Sequence, residues 1–272
     1  MNIARLIRRA GVVMVAGIAG LVISASSALA ANMLIFGDRA SDQANLQAQL
    51  VALGNTVTNT TTMPASFAGY AVVWDVQIFS ALTPAEETQL KNYISAGGSV
   101  YFTGERPCCD AANTSIQNIL RAVVAGGGAI QVGSLGDINC PCTFNPAATG
   151  GISTTPNTLT VWTPSASGGM GGIAAANIFA TGAGSVPVGA AYATTDFIGG
   201  KGRAVVLMDV NYLSSDPDLA HIIANISQFL LNGAGGGPVA AHVPVPTLTT
   251  WTLIALAALL FVATLWQRRR LS

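Results

Sequence analysis

The stretch Ala71–Glu105, AVVWDVQIFSALTPAEETQLKNYISAGGSVYFTGE, holds two apolar runs separated by one amphipathic segment. Ala71 to Val76 is apolar but for Asp75, as expected of a strand buried on both faces. In Leu82-Thr83-Pro84-Ala85-Glu86, Thr83 is placed to cap a helix, Pro84 suits its first position, and Glu86 completes a capping box. Gly97-Gly98 ends that helix, and Ser99 to Thr103 reads as the next strand. A strand, a helix and a strand in this order predict an α/β fold with a parallel sheet covered by helices.

The same alternation extends in both directions. Toward the N-terminus, Met33 to Phe36 reads as a strand, Leu46, Leu50 and Leu53 recur at helical spacing, and Gly54 caps that helix before a short strand around Val57. Toward the C-terminus, a helix starting at Asn113 or Thr114 carries Ile116, Ile119, Leu120 and Val123 on one side, and Ala129 to Val132 follows as a strand. Gly133 to Val186 is rich in Gly, Ser, Thr, Pro and Asn, with brief strand-like runs such as Leu159 to Trp162, and is expected to be a loop insertion. Gly189–Ala193 and Arg203–Met208 predict a hairpin around Gly199-Gly200-Lys201-Gly202. The last strand, Ala204 to Asp209, leads through Asn211 to a helix expected to be capped by Ser215, with Leu219, Ile222, Ile223, Ile226, Phe229 and Leu230 on its apolar face.

The two ends of the chain are of another kind. Arg5, Arg8 and Arg9 precede an apolar run from Ala10 to Ile23 and the small-residue site Ala28-Leu29-Ala30, which predicts a signal peptide, residues 1–30, cleaved after Ala30. Ala10 and Gly11 do not support a twin-arginine signal, so the general secretory route is expected. Thr247 to Trp266 has no charged residue and reaches the roughly 20 residues needed to cross a bilayer. Trp251 and Trp266 mark its edges, and Arg268-Arg269-Arg270 place the C-terminus in the cytoplasm. The expected organisation is an α/β ectodomain over 31–232, a Gly/Pro linker over 233–244 and a membrane tail over 245–272. Before processing, the ectodomain would face the periplasm from the inner membrane.

Val245-Pro246-Thr247-Leu248-Thr249-Thr250-Trp251, the apolar stretch and the arginine cluster resemble the IPTL-CTERM sorting domain. The chain keeps the family's Pro246, Thr247, Leu248 and Trp251, and has Val245, Thr249 and Thr250 where the pattern has Ile, Ser and commonly Glu. The resemblance implies an exosortase-type transpeptidase as partner, processing near the motif, and a product at the cell surface or outside the cell.

Charge excludes some partners. Residues 31–237 carry twelve acids against Arg39, Lys91, Arg106, Arg121, Lys201 and Arg203, a net charge of about six negative. Such a surface argues against nucleic acid, whose phosphates need basic groups. The four cysteines form two close clusters, Cys108-Cys109 and Cys140-Cys142. Export predicts disulfides, and links between the clusters are expected because neighbouring cysteines rarely meet disulfide geometry. No metal site is expected, since the spacing matches no usual zinc pattern and no histidine is near. No cofactor motif is present.

The element order resembles the flavodoxin-like sheet of the class I glutamine amidotransferase-like superfamily, with Tyr101-Phe102-Thr103-Gly104-Glu105 at its strand-to-helix elbow. That resemblance implies a nucleophilic cysteine directly after the central strand and a histidine base. The chain departs from it with Gly104-Glu105-Arg106-Pro107, leaving Cys108 or Cys109 with His221 as the pair for a hydrolase or amidase; His242 lies in the linker. Ligands of open α/β sheets bind beyond the carboxyl ends of the strands, which here offer Asp38, Arg39, Asp75, Gln77, Glu105, Arg106, Asp209 and Asn211. Each of these also fits turn capping or ion pairing. A carboxylate-based enzyme, or a sugar- or metal-binding site, requires Asp38, Asp75, Glu105 and Asp209 to share one cleft. The leading expectation is a non-catalytic binding or matrix module at the envelope, with surface polysaccharide among its ligand classes.

Overall fold

The computed structural model describes residues 30–232. The linker, the sorting motif Val245–Trp251, the predicted spanning helix 247–266, the arginine cluster and the signal segment as far as residue 29 lie outside the described residues. Among those described, no helix is long and apolar enough to cross a membrane.

The parallel half of the sheet forms from the apolar runs. Strands β1 (Asn32–Gly37), β2 (Thr56–Thr60), β3 (Val72–Val76), β4 (Ser99–Thr103) and β11 (Arg203–Leu207) lie in the order β2-β1-β3-β4-β11, with every neighbour parallel. Every residue of β3 and β4 is buried, which is why their sequence does not alternate. Only β2, at the edge, reads Thr-Val-Thr-Asn-Thr and is largely exposed. Polar side chains there discourage pairing with another chain.

Helices α1 (Ala40–Ala52), α2 (Pro84–Ser95), α3 (Asp110–Val123), the single-turn α4 (Tyr212–Ser215) and α5 (Leu219–Leu231) cover two faces. Helix α1 packs with α4 and α5, and α2 packs with α3. The capping box forms as expected: Glu86 N–H donates to Thr83 Oγ1 at 3.3 Å, and Thr83 N–H donates to Glu86 Oε2 at 2.7 Å. Two helix starts differ from expectation. Helix α3 begins at Asp110, because Asn113 is buried inside it and bonded elsewhere. Ser215 ends α4 instead of capping α5, and Asp218 stands at the start of α5.

Residues 133–186 are more than a loop. They contribute most of β5 (Gln131–Ile138), and β6 (Cys142–Phe144), β7 (Val161–Trp162), β8 (Ser167–Gly171) and β9 (Ile178–Thr181). With β10 (Pro187–Tyr192), the strands β9, β6 and β7 extend the sheet in the order β11-β10-β9-β6-β7, all antiparallel, so the sheet as a whole is mixed and only one half is parallel. Strands β5 and β8 pair separately as a ribbon. The expected β10–β11 hairpin is present, with Gly189 opposite Leu207 and Tyr192 opposite Ala204. Strands β6, β7 and β9 are only two to four residues long and β8 reads Ser-Gly-Gly-Met-Gly, so their periodicity is too weak to separate from a loop.

An aromatic row ties the two halves. Trp74 and Tyr101 lie with ring centres 4.8 Å apart, Tyr101 Oη and Tyr212 Oη share a hydrogen bond of 2.8 Å, and Trp162 meets Tyr212 edge-on at 5.8 Å. Phe144 continues the row to Phe179 at 5.0 Å. Such pairs contribute roughly 0.5–1.5 kcal/mol each beyond their buried area.

The end of β1 is tightest at Gly37, whose φ is 152°. A Cβ built there would sit 2.2 Å from the Val76 carbonyl oxygen, a backbone atom that cannot swing aside. Gly37→Ala is expected to destabilise the domain by about 2 kcal/mol through the strained φ and the forced separation of β1 from β3. A urea melt that leaves the midpoint unchanged would refute this.

Candidate functional site

In a doubly wound sheet the ligand crevice opens where the strand order reverses. Here β1 leads to β2 on one side and β3 lies on the other, so the crevice is at the ends of β1 and β3. It is filled from within. The Asp38 carboxylate accepts from the successive backbone N–H groups of Ile78 at 3.0 Å, Phe79 at 2.9 Å and Ser80 at 3.1 Å. Three convergent amides make an anion site, and the protein's own carboxylate occupies it. Arg39 turns back to Asp42 at 2.9 Å, with its guanidinium 5.8 Å from the Phe79 ring. Asp75 is buried and accepts from Gln77 N–H at 3.1 Å. Burial first, then the charges of Asp38 and Glu86, hold its pKa well above the usual carboxylate range.

The ends of β4 and β11 carry a second group. Glu105 Oε1 accepts from Val210 N–H at 2.9 Å and Oε2 from Arg106 N–H at 3.2 Å. Asp209 is fully buried, and its two oxygens accept from Asn211 N–H at 2.7 Å and Ala166 N–H at 3.1 Å. The Asn211 carbonyl takes the hydroxyls of Ser214 and Ser215, at 3.1 and 2.9 Å. Arg106 points outward to Asp137 at 3.4 Å, both side chains being substantially exposed. The Asp38 charge thus acts on Asp75, and the Asp209 charge on Glu105. The four carboxylates do not form a common metal-ligating group, because among the described residues the one cluster of three or more such ligand atoms is Glu105, Cys108 and Cys109.

Asn113 fixes the turn that carries Glu105. Its Oδ1 accepts from Glu105 N–H at 2.9 Å, and its Nδ2 donates to the Glu105 carbonyl at 2.8 Å. The ribbon β5–β8 then closes over this turn. A Cβ at Gly168 would lie 2.5 Å from the Glu105 carbonyl oxygen, and one at Gly133 would lie 2.1 Å from Asn113 Nδ2, so both strands approach the backbone closely only because they lack side chains there. Ser167 Oγ donates to the Met208 carbonyl at 2.7 Å, and Gly168 N–H donates to it at 3.0 Å. The inserted segment is therefore joined to the end of β11 and roofs the end of β4.

The cysteines pair within their clusters, Cys108 with Cys109 and Cys140 with Cys142, contrary to the expected links between clusters. The first pair occupies the turn Pro107–Cys109 just ahead of α3, and the second spans the junction of β5 and β6, so each turn brings its own two sulfurs together. His221 sits on α5 with an exposed ring, its Nδ1 2.5 Å from Asp218 Oδ1. Its one described polar partner is on its own helix turn.

Burial, with the nearby Asp209 charge, pushes Glu105 up to about 6, while the N–H groups of Val210 and Arg106 and the Arg106 charge pull the other way. A raised carboxyl pKa stabilises the fold below its ordinary value of about 4.5 and loses that contribution as pH rises through about 6. The difference corresponds to on the order of 2 kcal/mol. Wild type is therefore expected to lose stability relative to Glu105→Gln over that interval. Parallel pH profiles for the two proteins in chemical denaturation would contradict the assignment.

Sequence reasoning missed Asn113 as the brace of Glu105, reading it only as a helix start. It also missed Ala166–Gly168 as the partner of β11. The one available signal for the latter was Ser167-Gly168-Gly169, small residues of the kind that close backbone approach demands. Two surface hollows lie away from the carboxyl ends of the strands. One of about 540 Å³ is lined by Phe67, Tyr70, Gln89 and Tyr93 at the amino ends of β3 and β4, and one of about 230 Å³ lies beside Asn177, Tyr192 and Asp196.

No family model matches the chain, and no curated protein matches it. Among solved structures, the fold is similar to the mmIFT52 N-terminal domain, with 15% identity and a TM-score of 0.52 over 76% of this chain and 99% of that one. A ThuA-like protein from Bacteroides uniformis aligns with 11% identity and a TM-score of 0.48, over 79% of this chain and 98% of its own. A ThuA-like protein from Parabacteroides merdae gives 10% and 0.48, over 76% and 92%. At 15% identity, the likeness to the mmIFT52 N-terminal domain is one of fold.

Proposed function

We propose that the chain is an exported envelope protein whose flavodoxin-like α/β ectodomain acts as a non-catalytic binding module. In this reading its C-terminal tail is the substrate of an exosortase-type sorting enzyme. The observation that carries the non-catalytic part is the self-occupied strand edge. Asp38, Glu105 and Asp209 each accept from backbone amides, and the β5–β8 ribbon covers the elbow where a nucleophile would act. The cysteine-dependent hydrolase reading needs a free thiol at Cys108 or Cys109 and His221 as base. It is disfavoured by the pairing of the two sulfurs and by the engagement of His221 with Asp218.

The strand order 2-1-3-4 followed by β11 supports the flavodoxin-like assignment. Export is supported by the sequence pattern up to Ala30, together with the start of β1 at Asn32: cleavage after Ala30 keeps Ala31, whose carbonyl accepts from Thr56 N–H at 3.0 Å. The acidic surface and exposed Phe79 beside Arg39 suit a neutral or polyhydroxylated ligand such as surface polysaccharide better than a phosphate-bearing one. Mass spectrometry of the protein from its native host is expected to find Ala31 as the first residue and the tail removed near Val245. An intact C-terminus in a strain with a working sorting enzyme would refute the processing.

A further inference from the structure

The only cluster of metal-ligating atoms among the described residues contains a feature that the binding reading leaves unused. Glu105, Cys108 and Cys109 bring a carboxylate oxygen and two sulfurs within 4.8 Å of one another. Each Glu105 oxygen accepts a single backbone N–H and so keeps a lone pair for a cation. The carboxylate is held in place by Val210 and Arg106, and its peptide by both ends of the Asn113 amide. The cysteines lie immediately before the fourteen-residue α3, whose N-terminal dipole favours thiolate over thiol. Cys109 is buried and Cys108 is exposed, so an external thiol has access to one sulfur of the pair.

We propose that Cys108–Cys109 is a reducible disulfide whose dithiol form, together with Glu105, binds one thiophilic divalent cation of the zinc class. Reduction by a dithiol consumes two electrons: the protein S–S bond breaks, the reductant's two thiols become its own disulfide, and their two protons pass to Cys108 and Cys109. Metal binding then releases those two protons and forms two metal–sulfur bonds and one metal–oxygen bond. Two thiolates and one carboxylate leave a fourth position for water or a ligand, as in open zinc sites. In the disulfide form the sulfurs are bonded to each other and the thiolate donors are absent, so oxidation state decides occupancy. The sequence expectation of no metal rested on zinc spacing and the lack of a nearby histidine; it did not weigh Glu105, three residues before Cys108.

The test uses the full chain in detergent carrying Cys140→Ser and Cys142→Ser, so that one disulfide remains. Cadmium chloride is titrated into the oxidised protein and into the anaerobically reduced protein freed of reductant, following the thiolate-to-cadmium charge-transfer absorbance. One Cd²⁺ per chain is expected after reduction and none before. Glu105→Gln should weaken binding about tenfold while keeping the absorbance band, and Cys108→Ser with Cys109→Ser should abolish both. Equal binding by oxidised protein, or an unchanged equivalent in the reduced Cys108→Ser/Cys109→Ser variant, would overturn the proposal. Unchanged affinity in Glu105→Gln would remove Glu105 from the site. Circular dichroism checks that each variant folds. If the Cys140→Ser/Cys142→Ser background does not, the same comparison in the otherwise wild-type chain reads loss of one equivalent as support and no loss as refutation.

Discussion

Asp209→Ala is expected to destabilise the domain by about 3 kcal/mol, a fall in Tm of roughly 10 °C for a domain of this size. Asp209 joins two parts of the chain: the turn after its own strand, through Asn211 at 2.7 Å, and the inserted segment, through Ala166 at 3.1 Å. Removing the carboxylate leaves both N–H donors without their partner and a void at a fully buried position. A second effect follows from the same change. Asp209 raises the Glu105 pKa, so the variant should show a smaller stability change as pH crosses the range between about 4.5 and about 6. Asp209→Asn, which keeps one acceptor oxygen, should lose less. A Tm within a degree or two of wild type would mean that the amides of Ala166 and Asn211 find water at no cost, and the closed edge described above would be wrong.

Asn225→Leu is expected to have a comparable or larger effect, about 4 kcal/mol. Asn225 lies on α5 with no exposed surface. Its Nδ2 donates to the carbonyls of Ile152 at 2.8 Å and Asn157 at 2.7 Å, and its Oδ1 accepts from Asn157 N–H at 3.0 Å and Nδ2 at 3.1 Å. Leucine fills a similar volume but satisfies none of these groups. The loss should also be local: hydrogen exchange should quicken across residues 150–163 and leave β1, β3 and β4 protected to the level of global unfolding. A midpoint shift under about 1 kcal/mol, or uniform exchange across the domain, would show that the insertion is held by other contacts.

These two residues show where sequence reading stops. Helix α5 was readable from Leu219, Ile222, Ile223, Ile226, Phe229 and Leu230. The burial of Asn225 was not, because a polar residue three positions from Ile222 looks the same whether it meets solvent or a carbonyl. Strands β1, β3, β4 and β11, the helices between them and the β10–β11 hairpin were legible because both faces are buried and the capping box at Thr83 is local. The strands added beyond that hairpin were not, apart from the strand-like run Leu159–Trp162, since Cys142–Phe144 and Val161–Trp162 are too short to show a period and pair with partners far away in sequence. The strand-end acids were located correctly as positions. Their partners, the amides of residues 78–80, 166 and 210, depend on tertiary approach and leave no local pattern. For the cysteines, the general rarity of neighbouring pairs pointed to links between clusters, and the local turns decided otherwise.

The most direct test of a closed, non-catalytic strand edge is iodoacetamide labelling of the native, unreduced protein, read by intact and peptide mass spectrometry. No alkylated cysteine is expected without reduction, and labelling is expected once the disulfides are reduced, first at the exposed Cys108 and at the buried Cys109 and Cys142 only as the chain opens. Rapid carboxamidomethylation of Cys108 or Cys109 in the untreated protein would contradict it and restore a thiol nucleophile beside Glu105.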